Sequence, residues 1–202
     1  MIRVRPAALE DLPAMTHVLA DAFSVKMRVL YGRDPERIRR ILTTMYRGPL
    51  SREYDGLLIA ELDRQVVGVL VIEPMPWDGS DADRLVRVLA TELSAWRQMF
   101  TRIGFSVFSH GPNVGDAYLS DVGVLSSARG KGVGKALVQH AEGWAIAHQR
   151  TALALWVASN NPVARRLYER AGMVALHHEI NLLSGVLYGV PRWTYMRKVL
   201  TT

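Results

Sequence analysis

The chain has 202 residues, a formal charge of +6 at neutral pH and no cysteine. The lack of cysteine excludes disulfides, thiolate metal sites and a cysteine nucleophile, and the histidines include no pair at the His-x-x-x-His spacing of a helical zinc site, so no metal is expected. A hydrophobic content of 49% and charged content of 22% are those of a folded globular protein, and no apolar stretch is long enough to cross a bilayer; no membrane partner is expected.

The size suits a single domain covering residues 1–202. Glu10 and Asp11 fall where a signal peptide would carry its apolar run, which favours a cytoplasmic location. The basic residues are scattered along the chain instead of massed in one arm. Despite a pI near 9.9, this points to a local phosphate site and away from nucleic acid.

In chain order, residues 2–5 alternate like a short strand. Leu9, Leu12, Met15, Leu19 and Phe23 then recur at helical spacing. Asp34 followed by Pro35 is an N-cap with proline at the first helical position, and it opens a second helix with Ile38, Ile41, Leu42 and Met45 as its buried stripe. Residues 57–62 and 66–72 read as a hairpin turning at Asp63-Arg64-Gln65, closed by Pro74 and Pro76. Ser80 and Asp83 resemble a capping box ahead of one long amphipathic helix carrying Leu85, Leu89, Leu93, Trp96, Phe100 and Ile103.

A turn-rich return through residues 110–115 leads to a strand over 118–125. A helix over 133–148, an apolar strand over 151–158, and a helix opened by Asn161-Pro162 and stopped by Gly172 follow. Two strands, over 174–182 and 192–200, complete a mixed α/β order.

The chemistry concentrates at Arg129-Gly130-Lys131-Gly132-Val133-Gly134-Lys135, where a strand passes through a glycine-rich turn into a helix. Glycines allow close approach of the backbone, and the free N–H groups of a helix start bind an anion. A nucleotide P-loop would need glycine at 129 and Ser or Thr at 136, where Arg129 and Ala136 stand. The dinucleotide fingerprint fails at position 135. The pattern that does fit is Arg-x-x-Gly-x-Gly, and downstream stands Asn161-x-x-Ala164-x-x-Leu167-Tyr168-x-x-x-Gly172.

With these two motifs in this order, residues 118–173 resemble the GCN5-related N-acetyltransferase (GNAT) family. The resemblance implies a mixed central sheet flanked by helices, with a splay between the fourth and fifth strands. It implies acetyl-CoA as acyl donor, its pantetheine arm bonded to backbone around Val122, Gly123 and Val124. The pyrophosphate would lie on the 129–135 loop, with Asn161, Ala164 and Tyr168 completing the cofactor site. It further implies direct attack by a primary amine in a ternary complex, an oxyanion held by the N–H near Val122, and Tyr168 as the acid for the leaving thiolate.

Each residue also has a plainer reading. Lys131 and Lys135 suit solvent, Asn161 suits a cap, and Tyr168 suits a packed face. Asp121 is the first candidate base and Glu73 the second; selection of an already neutral amine would need neither. Met173 stands where the family usually has an aromatic.

The helical insertion at about 74–116, where the family commonly has a tight hairpin, either reshapes the acceptor pocket or makes a homodimer contact through Trp96. By resemblance, Met27 and Tyr31 lie on the acceptor side, and Trp77 joins them as a substrate-side residue. The acceptor itself, small molecule or peptide, is not legible. The alternative function is a non-catalytic acyl-CoA-binding sensor.

Overall fold

In the computed structural model, residues 1–106 and 113–200 are described. Seven strands form one sheet in the order β1-β2-β3-β4-β5-β7-β6. They are β1 (Ile2–Pro6), β2 (Leu57–Leu62), β3 (Gln65–Glu73), β4 (Asp116–Val124), β5 (Ala152–Ala158), β6 (Val174–Ile180) and β7 (Arg192–Val199). The β4–β5 pair is parallel and the other neighbouring pairs are antiparallel.

The helices are α1 (Leu12–Ala22), α2 (Ser24–Tyr31), α3 (Pro35–Ser51), α4 (Gly79–Glu92), α5 (Ala95–Ser106), α6 (Val133–Ala147), α7 (Pro162–Arg170) and α8 (Leu182–Tyr188). Both faces of the sheet are covered at β2 and β3, which is why these strands read as continuous apolar runs. Leu58, Ala60, Leu70 and Ile72 pack with Val133, Leu137 and Ala141 of α6. Their alternating neighbours Leu57, Ile59, Val69 and Val71 pack with Met15, Leu19, Ile41 and Leu42 of α1 and α3. The hairpin between β2 and β3 turns on Asp63 and Arg64 alone, both at positive φ (53° and 66°), as a tight two-residue turn requires.

The structure corrects the sequence reading at four places. The long helix expected after Pro76 is two helices, because Leu93 is extended (φ −120°, ψ 138°) and buries its side chain; the apolar spacing runs on through the break and hides it. The capping box belongs to Asp78 and Asp81: Asp78 Oδ1 accepts from Asp81 N at 2.9 Å and Asp81 Oδ2 from Asp78 N at 3.3 Å. Ser80 donates to Asp78 instead, at 2.7 Å.

The segment after Phe23 is the helix α2, stopped by Gly32 at φ 91°. The segment before the last strand is the helix α8, capped by the Asn181 side chain at 3.0 Å from Ser184 N and ended by Gly189 at φ 70°. The expected caps at Asp34 and Asn161 are both made. Residues 110–112 of the turn-rich return lie outside the described residues.

Candidate active site

β4 and β5 pair only from Asp116↔Ala152 to Tyr118↔Ala154. Beyond that point β4 stays with β3 and β5 stays with β7, so residues 119–124 and 155–158 face each other across an open gap. On its β3 side β4 carries one extra residue: Val71 pairs with Asp121 and Ile72 with Leu119, which leaves Ser120 in a bulge and re-aims the residues beside it.

A cleft of about 730 Å³ fills the gap. Val122 and Val157 line its strands, Tyr168 and Ala164 of α7 one wall, and Phe23, Lys26 and Tyr46 the wall opposite. Glu73, at the end of β3, and Asp121 open into the same space.

The glycine loop follows directly from β4. Gly130 and Gly132 sit at φ 78° and 85°, in the left-handed region where a side chain would be strained. Gly132 starts α6 and no side chain caps that helix, so its first backbone N–H groups are left for another acceptor. Gly134 answers a different demand: a Cβ there would come within 3.0 Å of Leu167 Cδ2, so it lets α6 and α7 close together. Gly123 does the same for α1, with a Cβ falling 3.1 Å from that of Ala22. Arg129, Lys131 and Lys135 are exposed around the loop, and Arg129 Nε is 3.4 Å from the Val124 carbonyl.

The sequence profile of the acetyltransferase (GNAT) family matches residues 13–173. The chain belongs to the GNAT acetyltransferase family. An uncharacterized N-acetyltransferase of Archaeoglobus fulgidus is 25% identical over 167 residues, 83% of this chain and 89% of that protein. A solved structure described as an acetyltransferase superposes at a TM-score of 0.69 with 22% identity, covering 98% of this chain and all of that one. The ribosomal-protein-alanine N-acetyltransferase of Brucella melitensis gives 0.60 with 21% identity, covering 98% and 99%. Both structures share the fold.

In this GNAT chain the cleft is electrostatically uneven. Asp121 Oδ1 is 3.4 Å from Lys26 Nζ, and its Oδ2 accepts from the Tyr46 hydroxyl at 3.4 Å. Burial, aided by the Asp121 charge, pushes the Tyr168 hydroxyl well above an ordinary phenol, and the same two causes act on Tyr46 and Tyr118. Burial also raises Glu73, with a further push from Asp121; hydrogen bonds from Met75 N and Ser120 only partly offset this. The Met75 N–H donates to Glu73 Oε2 at 3.0 Å.

The cleft thus gathers Asp121, Val122, Asn161, Ala164 and Tyr168, while Asn161 also caps α7 through Ala164 N at 3.1 Å. It does not gather the three expected substrate-side residues. Met27 and Tyr31 are buried in the core beneath α2, the Tyr31 hydroxyl lying 3.8 Å from Met45 Sδ. Trp77 lies outside the residues that line the cleft.

Tyr46, Trp156, Tyr188 and Trp193 line the cleft. Two signals were available in the sequence: Asn181 with Gly189 brackets α8, and Tyr46 follows Ile38 and Ile41 round α3 to the same buried side. Among the described residues no cluster of His, Asp and Glu is placed to hold a metal.

Proposed function

We propose that this protein is an N-acetyltransferase that passes an acetyl group from acetyl-CoA to a primary amine, within one GNAT domain over residues 1–202 whose helical insertion at 74–116 supports the acceptor side. The observation that carries this reading is that Tyr168 and Glu73 line one cleft, opened where β4 and β5 part. A protonated phenol and a half-buried carboxyl in reach of one space are an acid and a base for the two proton transfers of amide formation.

The residues present suit the donor. The uncapped start of α6, with Gly130 and Gly132 in left-handed conformations, offers backbone N–H groups to a pyrophosphate. Arg129, Lys131 and Lys135 add positive charge there. At residues 122–124 the side of β4 turned away from β3 has no strand beside it and offers hydrogen bonds to a pantetheine arm, and Asn161 and Ala164 lie alongside. Acetyl-CoA would supply the activated thioester carbonyl.

Glu73 then accepts the proton lost by the amine, and Tyr168 gives its proton to the sulfur as the new C–N bond replaces C–S. The N–H of Val122 faces the charge that grows on the carbonyl oxygen. Glu73 suits the base better than Asp121, because Asp121 already holds Lys26 and Tyr46. Among the described residues no helix is long and apolar enough to cross a membrane.

Calorimetric titration with acetyl-CoA, with ATP and NAD as controls, tests the donor; release of free CoA thiol on adding amines tests the transfer. Binding of acetyl-CoA without thiol release from any amine would leave a non-catalytic acyl-CoA sensor in place of an enzyme.

A further inference from the structure

The acceptor end of the cleft carries a chemical description of what it takes. Among the described residues, the charged side chains that line the cleft are Lys26, Glu73 and Asp121. Lys26 and Asp121 stand 3.4 Å apart as an ion pair, and Asp121 is further held by Tyr46. Glu73 is therefore the carboxylate left to meet a cation. It sits at the end of β3 opposite Tyr118, with burial opposing its charge; an ammonium group beside it would relieve that opposition.

Around this one acidic group the wall is aromatic. Tyr118 of β4, Trp156 of β5, Tyr188 at the end of α8 and Trp193 of β7 all face the cleft. They come from four separate elements, and several are fixed by neighbours. Trp156 packs against Tyr195 and His177 with ring centroids 5.2 and 5.1 Å away, and the Trp193 indole N–H donates to Ser184 Oγ at 3.0 Å. Helix α8 also packs on α2, so the wall holding Tyr188 is braced against the one holding Lys26.

Rings held in this way offer faces to an apolar body and to a cation. The cleft, at about 730 Å³, is of the size that takes small molecules.

Resting on the acyl-transfer reading above, we infer that the acceptor is a singly charged primary amine with an apolar, ring-sized body, its ammonium at Glu73 and its body among Trp156, Tyr188 and Trp193. A polyamine would bring a second ammonium to a wall with no second uncommitted carboxylate. An amino acid would bring a carboxylate to a wall whose lysine already holds Asp121. A buried charge without a partner is disfavoured in either case.

Initial rates of thiol release from acetyl-CoA, compared for phenethylamine, spermidine, glycine and an alanine-initiated peptide, test this. The expected result is a kcat/KM for phenethylamine at least ~10-fold above each of the others. Tyr188→Leu should raise the KM for phenethylamine with the calorimetric affinity for acetyl-CoA unchanged, which also shows that the variant is folded. Preference for spermidine, glycine or the peptide would overturn the inference and leave acyl transfer standing.

Quenching of intrinsic tryptophan fluorescence gives a readout independent of turnover. Saturable quenching by phenethylamine at lower concentration than by spermidine, with no thiol release from any amine, would keep the aromatic amine cleft and remove the transfer reading. Absence of both signals would remove both.

Discussion

Lys26 Nζ stands 3.4 Å from Asp121 Oδ1, joining helix α2 to the strand that carries the cleft's backbone. The contact occupies Asp121 and leaves its charge in place as an influence on its neighbours. Glu73 feels that charge as a push upward, on top of its burial.

The acidic limb of kcat/KM should therefore lie above the ordinary carboxylate range, activity rising as Glu73 loses its proton. Asp121→Asn removes the push, so the limb should move to lower pH with activity retained. Glu73→Gln should cost roughly 10²- to 10⁴-fold in kcat and abolish the limb. A pH–rate series on the three proteins decides it; a limb that follows Asp121 and survives in Glu73→Gln would exchange their roles.

Tyr168 should behave as the opposite partner. Burial and the Asp121 charge hold its proton above the ordinary phenol value of 10, so no falling limb from this group is expected below pH 10. Tyr168→Phe should lower kcat by roughly 10²-fold or more while calorimetry shows the acetyl-CoA affinity little changed. An unchanged kcat would assign the hydroxyl to packing alone.

The glycine loop and the α7 cap were legible because each is local. Gly130, Gly132 and Asn161 answer to turn and cap geometry set by their immediate neighbours, and such demands leave a mark in a short window of sequence. The aromatic wall of the cleft was not, because it is assembled from a distance. Tyr46, Trp156 and Trp193 converge from α3, β5 and β7 on the cleft that also takes Glu73, the second candidate base, and no spacing records that convergence. Met27 and Tyr31 look like wall residues by position, yet their helical phase on α2 turns them into the core. The break at Leu93 was hidden for a related reason, since a one-residue extension left the apolar period unbroken.

Gly134 separates packing from charge. Its Cβ position lies 3.0 Å from Leu167 Cδ2, a flexible side-chain end that can shift, so Gly134→Ala should lower the melting temperature slightly and keep acetyl-CoA binding. Gly134→Asp adds a carboxylate at the start of α6, and repulsion of a pyrophosphate there should weaken binding about tenfold or more. Calorimetry on both variants reads the difference; equal affinities would place the phosphate site elsewhere.

Gly48 tests how the insertion is held. A Cβ on this residue of α3 would fall 1.9 Å from Asp81 Oδ1, and Asp81 is the buried first-turn acid of α4, bonded to Arg52. Gly48→Ala should push α4 from α3 and cost about 1–3 kcal/mol as overpacking, seen as a lower thermal midpoint. An unchanged midpoint would mean that α4 contributes little to the stability of the rest.

Asp116 anchors the start of the short paired stretch beyond which the cleft opens. Its carboxylate accepts two bonds from Arg197, each 2.8 Å long, and one from Thr151 at 3.1 Å, at the first residue of the β4–β5 pairing. Burial works against its charge, but the bonds from Arg197 and Thr151 prevail and hold its pKa below the ordinary carboxylate value. With the folded pKa depressed, the stabilisation is present above the unfolded value near 3.9 and is lost as pH falls through the folded one.

Arg197 is partly exposed, so Asp116→Asn should cost about 2–3 kcal/mol, below the full figure for breaking a buried pair. It should also flatten the loss of stability seen in acid. Urea midpoints at pH 7 and pH 3 for both proteins give the comparison. If the gap between them is as wide at pH 3 as at pH 7, the ion pair is not what ties β4 to β7 beside the β4–β5 pairing.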